Sequence, residues 1–269
     1  MLYYYALLYY NINLKQINTM KKIHLISTLI GLLAFSTLAK ADLKVVTSIK
    51  PIHSLASYIM DGVGSPGLIV DGYNSPHSFQ LKPSHAKMLE QADIIFWIGE
   101  DLENFLEKPL ATIAKKAEKI ELLEIKGIKK LKFRERNIFE EHEGHDDHGH
   151  DAKKEEHDDH EGHGHGEYDP HIWLDPINAK VILNEITEHL IENDSKNAST
   201  YKSNLAKALA KIDKLIIDVI TETNTDLSYV VFHDAYQYYE NRFNVNILGA
   251  MTVNPDVMPG AEQIHEIHE

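Results

Sequence analysis

Five consecutive apolar residues, Ile94-Ile-Phe-Trp-Ile98, stand between two stretches of helical periodicity. Alternate side chains of a strand point to opposite faces, so this run needs apolar cover on both sides. Such a strand belongs in the middle of a sheet flanked by helices, the usual setting of parallel strands. The neighbouring segments keep the rhythm. Leu43–Ile49 reads as a strand and Pro51–Met60 as a helix opening on proline. Gly67–Val70 reads as a strand, followed by a long turn-rich loop over Asp71–Pro83. Ser84 is placed to cap a helix that runs to about Gln91. Leu102–Lys116 has a helical pattern and Lys119–Leu123 that of another strand. The expected class is α/β, built on a parallel, doubly covered sheet.

The second half repeats the pattern more sparsely. A helix is expected over Ile177–Glu192 and a longer one over Ser195–Thr221. In the longer helix Tyr201, Leu205, Ala208, Leu209, Ile212, Leu215, Ile216 and Val219 define one face. Some 25 residues span on the order of 38 Å, enough to join two lobes. Strands follow at Tyr229–Phe232 and Asn246–Ala250, with a helix from Gly260. Two parallel strands are not an independent fold, so the second lobe is expected to be cut short. The expected organisation is a first lobe over 42–139, completed by 168–194, a rigid linking helix over 195–223 and an incomplete second lobe over 224–269. Residues 140–167 interrupt the first lobe.

The N-terminus has the pattern of an export signal. Met20-Lys-Lys22 is basic, Ile23–Leu38 is mostly apolar, and Ala39-Lys-Ala41 is a small-x-small site before Asp42. Cleavage is expected after Ala41, with Met20 the true start and 1–19 a spurious extension. The apolar run is short for a span, which needs about 20 residues. The chain has no cysteine, which excludes thiolate chemistry, Cys-type zinc sites, disulfides and a lipid anchor through cysteine. An exported chain of this kind is expected in a periplasm. Its net charge of −14 speaks against nucleic acid, which requires a basic surface.

Histidine occurs in two settings. His142, His145, His148, His150, His157, His160, His163 and His165 lie among Asp, Glu and Gly, with no apolar face. This tract cannot offset the entropy of ordering and is expected to be disordered. Many imidazoles among carboxylates form a weak, multivalent metal collector. Three other histidines sit on structured segments. His77 lies in the loop after the Gly67–Val70 strand, His171 in Asp169-Pro-His-Ile-Trp-Leu-Asp-Pro176, and His233 at the end of a strand. Ligands of open α/β sheets bind outside the carboxyl ends of strands, and three neutral imidazoles suit tetrahedral zinc. His53 starts a helix, where it would cap locally or stand behind a site. His85 and His189 are expected on helix surfaces, as are His265 and His268. Asp234 is placed to orient an imidazole.

The order Ser75-Pro-His-Ser-Phe-Gln-Leu-Lys-Pro-Ser84, acidic His tract, His171-Ile-Trp-Leu-Asp-Pro176, Val231-Phe-His-Asp-Ala-Tyr236, then Asn254-Pro and Pro259-Gly-Ala261 resembles the ZnuA family, the periplasmic zinc-binding proteins of ABC importers. The resemblance runs from about Leu43 to the end. It implies two α/β lobes joined by a rigid helix, with zinc in the cleft held by His77, His171 and His233. It also implies zinc over manganese, because manganese-preferring relatives carry Glu at the third position. Family members run some tens of residues further and bring an acidic residue to the metal. The fourth ligand here is therefore expected to be water or an acid beyond these motifs, and Pro76 stands where some members carry Glu.

The resulting expectation is a carrier that captures Zn²⁺ and delivers it to the permease and ATPase subunits of an importer, itself a monomer. Two other readings are open: a buffer or metallochaperone acting through the His tract, and a relative that binds manganese or another divalent ion. A zinc hydrolase would need a placed general base, as in H-E-x-x-H, and that motif does not occur.

Overall fold

The Ile94–Ile98 run lies at the centre of the first sheet, fully covered. The structure, a computed structural model, describes residues 42–134 and 166–252. The export signal, the eight tract histidines, the Gly260 helix, His265 and His268 lie outside the described residues. In order, the elements are β1 (Val45–Thr47), α1 (Lys50–Met60), β2 (Gly67–Leu68), α2 (Pro83–Gln91), β3 (Ile94–Trp97), α3 (Glu100–Thr112) and β4 (Glu118–Glu121). A 3₁₀ turn (Ile172–Leu174), α4 (Pro176–Asn193), α5 (Ala198–Glu222), β5 (Ser228–His233), α6 (Gln237–Phe243) and β6 (Asn246–Thr252) follow.

The first sheet is parallel, with strand order β2-β1-β3-β4. Val45 faces Ile94 and Phe96 faces Ile120 across the ladders. The chain steps one way from β1 to β2 and the other way to β3 and β4. Right-handed crossovers therefore place α1 on one face and α2 and α3 on the other. Helices α4 and α5 join α1 on its face, and α2 packs on α3. The reason α4 adheres is its stripe of Ile182, Leu183, Ile186 and Leu190, all fully buried. Gly99 ends β3 at φ +153, where a Cβ would meet Glu121 Oε1 at 2.8 Å.

Helix α5 is the long element expected from periodicity. Its first half is anchored: Tyr201 donates to Asp194 Oδ2 at 2.9 Å, and Asn204 Nδ2 to the carbonyls of Ile59 and Asp61. Beyond Ile212 it leaves that core, and Ile217 and Ile220 are exposed. The second sheet is the parallel pair β5-β6, with a register shift between Tyr229 and Val230. It exposes Tyr229, Val230, Phe232 and Leu248.

Two local expectations are corrected. Ser84 does not cap α2. The N-cap is Lys82, because Pro83 has no N–H and a fixed φ suited to the first helical position. His85 is not a surface residue. It is buried against the Phe79 ring, and its Nδ1 accepts the Lys82 N–H at 3.2 Å.

Candidate metal centre

Three segments far apart in sequence bring imidazoles to one place. His77 lies on the loop between β2 and α2, shaped by Asn74 Nδ2 donating to the Asp71 carbonyl and the His77 N–H donating to Ser75 Oγ. His171 stands just before the 3₁₀ turn that leads into α4. His233 is the last residue of β5. Ring centroids are 5.6 Å apart for His77 and His171, 5.7 Å for His77 and His233, and 5.5 Å for His171 and His233. One ring nitrogen from each lies within 4.8 Å of the other two. A tetrahedral ion with bonds near 2.1 Å places its donors roughly 3.4 Å apart, a closure of at most about 1.4 Å. Among the described residues no carboxylate joins the trio.

The His171 ring is the best fixed. Asp169, buried beneath it, accepts the His171 backbone N–H at 2.9 Å and meets ring Nδ1 at 2.7 Å, both through Oδ1. With Nδ1–H committed to a carboxylate, Nε2 carries the free lone pair and the ring orientation is fixed. Trp173 packs on the ring at 5.3 Å. Asp169 is held in turn by its N–H to the Leu131 carbonyl and by the Tyr238 hydroxyl, which donates to the Asp169 backbone carbonyl. The orienting acid was not singled out in the sequence. The signal for it is Asp-Pro-His, in which a carboxylate two residues ahead can turn back onto the His N–H.

His233 has its pKa lowered, first by burial and then by the neighbouring His171, with Asp169 acting the other way. Both leading causes favour the neutral imidazole, the form that ligates. Asp234 does not orient it. Its carboxylate turns to Arg134 at 3.4 Å, and burial pushes its pKa up to about 6 against the pull of that guanidinium. His53 also stands elsewhere, bonded through Nε2 to the Pro66 carbonyl rather than capping α1.

The walls of the site are cross-tied. Arg242 grips Asp175 with two bonds, 2.8 Å from Nε and 2.7 Å from Nη2, while Asp175 caps α4 through the Ile177 N–H. Arg134 pairs with Glu240, and Gln237 Nε2 donates to the Lys132 carbonyl. The strand-like segment at Lys132 bridges Tyr168 antiparallel. The described segments that flank residues 135–165 are therefore held together next to Asp169 and His171.

A family model described as zinc-uptake complex component A, periplasmic (ZnuA), matches residues 45–269. The high-affinity zinc uptake system protein ZnuA of Brucella abortus is 43% identical over 272 residues, spanning 93% of this chain and 80% of that protein. The Yersinia pestis protein of the same name is 36% identical over 230 residues, spanning 84% and 71%. The crystal structure of AdcAII from Streptococcus pneumoniae superposes with a TM-score of 0.63 at 23% identity, over 86% of this chain and 76% of that one, a likeness of fold. With this architecture and these matches along nearly its whole length, the chain belongs to the ZnuA family of periplasmic zinc-uptake components.

Proposed function

We propose that His77, His171 and His233 close on one Zn²⁺ ion through three neutral imidazoles, and that the chain carries this ion to the permease and ATPase subunits of an ABC importer. The observation that carries the reading is the convergence of three rings from separate segments, each within 4.8 Å of the others at a donor nitrogen. Water or an acid from outside the described residues completes the tetrahedron. Selectivity for zinc comes from the shape of this cavity, because imidazoles alone bind Cu²⁺ more tightly. The first lobe, α5 and the second sheet act as two lobes on a rigid linker, with the ion in the crevice between them. The chain works as a monomeric carrier and not as a catalyst, in the periplasm, after cleavage behind Ala41. No helix among the described residues is long and apolar enough to cross a membrane.

The histidine tract collects ions for the trio. The Lys132–Tyr168 bridge holds the chain on either side of it beside His171, so tethering raises the local concentration of loosely held metal. Isothermal titration of the full chain tests both parts. Wild type shows one tight site plus weak sites; deletion of the tract keeps the tight site and removes the weak sites that the tract histidines supply. The triple variant H77A/H171A/H233A loses the tight site. A tight 1:1 site that survives in that variant overturns the assignment, and loss of the tight site on tract deletion favours the buffer.

A further inference from the structure

At the far end of α4 from His171, a second set of ligand-type side chains meets. His189, in the last turns of α4, stands against Glu118, the first residue of β4, and Glu192, with one donor atom of each within 4.8 Å of the others. The trio lies at the carboxyl ends of strands, whereas this group lies at an amino end. The rise of α4 from Pro176 to His189 puts about 20 Å between them.

The imidazole is prepared as a ligand. Its Nε2 lies 3.2 Å from Glu185 Oε1, one turn earlier. That bond places the proton on Nε2 and leaves a bare lone pair on Nδ1. Nδ1 is shut off from water and makes no hydrogen bond. Glu118 Oε1 is 2.9 Å from it, off the line an N–H would take, and Glu192 Oε2 is 4.0 Å from the same nitrogen. A lone pair facing two carboxylates is repelled unless a cation sits among them. Both inner ligands are supported: Glu118 Oε2 accepts from Asn193 Nδ2 at 3.0 Å, and the Phe96 ring meets the imidazole edge-on. His189, expected on the surface, has a side chain only 17% exposed.

We propose that Glu118, His189 and Glu192 form a second divalent-metal site, separate from the trio, with Glu185 and Asn193 orienting its ligands. One imidazole and two carboxylates suit a borderline ion such as Zn²⁺, with water in the fourth position. Glu192 is 71% exposed, so the site is weaker than the trio and fills once zinc exceeds one equivalent per chain. A bound ion there ties the end of α4 to the start of β4.

The test is a zinc titration of the full chain carrying ¹⁵N-labelled histidine, followed by long-range ¹H–¹⁵N spectra. The His189 Nδ1 resonance, assigned by its loss in H189Q, is expected to move to a metal-bound position after the trio has saturated. In E118Q/E192Q the zinc concentration at half-saturation rises tenfold or more, since even supporting groups of a metal site are worth that much, and the trio signals do not change. A His189 ring protonated on both nitrogens near neutral pH, or one unmoved by excess zinc, overturns the site. So does a midpoint that E118Q/E192Q leaves in place. The wild-type titration decides even if a variant fails to fold, and the trio is read separately in the same spectra.

Discussion

Replacing Glu103 by Gln should make the protein more stable above neutral pH and leave it little changed in mild acid. Glu103 is completely buried, and its Oε2 accepts the backbone N–H groups of Ile98 and Gly99 at 2.9 and 3.1 Å. It closes the end of β3 from a non-helical position inside α3, at φ −117 and ψ 51. Burial pushes its pKa from 4.5 up to about 7; the Ser48 hydroxyl and the two N–H groups pull it back, and Glu121 adds to the rise. The native state therefore holds a proton that the unfolded chain releases near 4.5. The stability this contributes is complete below about pH 4.5 and is lost as pH rises through about 7. At about 1.4 kcal/mol per pH unit, the loss is on the order of 3 kcal/mol. Gln keeps the acceptor for both N–H groups and cannot ionise. Urea unfolding of the zinc-free proteins at about pH 5 and about pH 8 should show the E103Q advantage growing by about 3 kcal/mol between the two. A difference between wild type and E103Q that is the same at both pH values would refute the reasoning.

Asp169→Asn keeps an acceptor for the His171 backbone N–H but loses the carboxylate that sets the ring. Zinc affinity, measured against a chelating dye, should fall 10–100-fold with the unfolding midpoint nearly unchanged. Zinc affinity of the wild type should fall as pH drops through about 6.5, because protons compete for imidazole. The lowered pKa of His233 delays its share of that loss to lower pH, and competition titrations across the range would show it as histidine-specific NMR shifts. Tyr238→Phe strands the Leu131 N–H, which now donates to the phenol oxygen at 3.0 Å, and should cost about 1–3 kcal/mol in urea unfolding.

The parallel sheet was legible because Ile94–Ile98 admits no solvent face, and α4 and α5 because their apolar stripes have helical spacing. The trio was legible from position: His77 lies in the loop between a strand and a helix, His171 just before a helix and His233 at the end of a strand. What stayed hidden depends on which side chains meet once the chain is folded. His85 and His189 occupy ordinary polar positions on helices, and nothing local reveals that Phe79 covers one and Glu118 meets the other. Asp234 was considered as an orienting acid because it adjoins His233, and Asp169 was not considered. Arg134 claims Asp234 instead, and adjacency along a chain does not make side chains face each other. The strand ends came out shorter than the apolar runs, since Ile49, Val70 and Leu123 are buried beyond the ladders.

The ties made by Arg242, Tyr238 and Gln237 run from α6 to the segments on either side of His171. They clamp the wall bearing His233 to the wall bearing His171, so two of the three donors move as one body. The stretch from Asp71 to Lys82 is tied down at Gly72, whose carbonyl accepts from Lys50 Nζ, and at Phe79, buried against Phe105, so the short segment 74–77 between those ties, shaped by bonds of its own, is the latch that the proposed site would use. If the three rings hold the ion as proposed, its residence time should be set by how fast His77 peels away rather than by any swing of whole lobes. Stopped-flow release should accelerate when Asn74 or Ser75 is changed to Ala and stay constant when the exposed far half of α5 is altered.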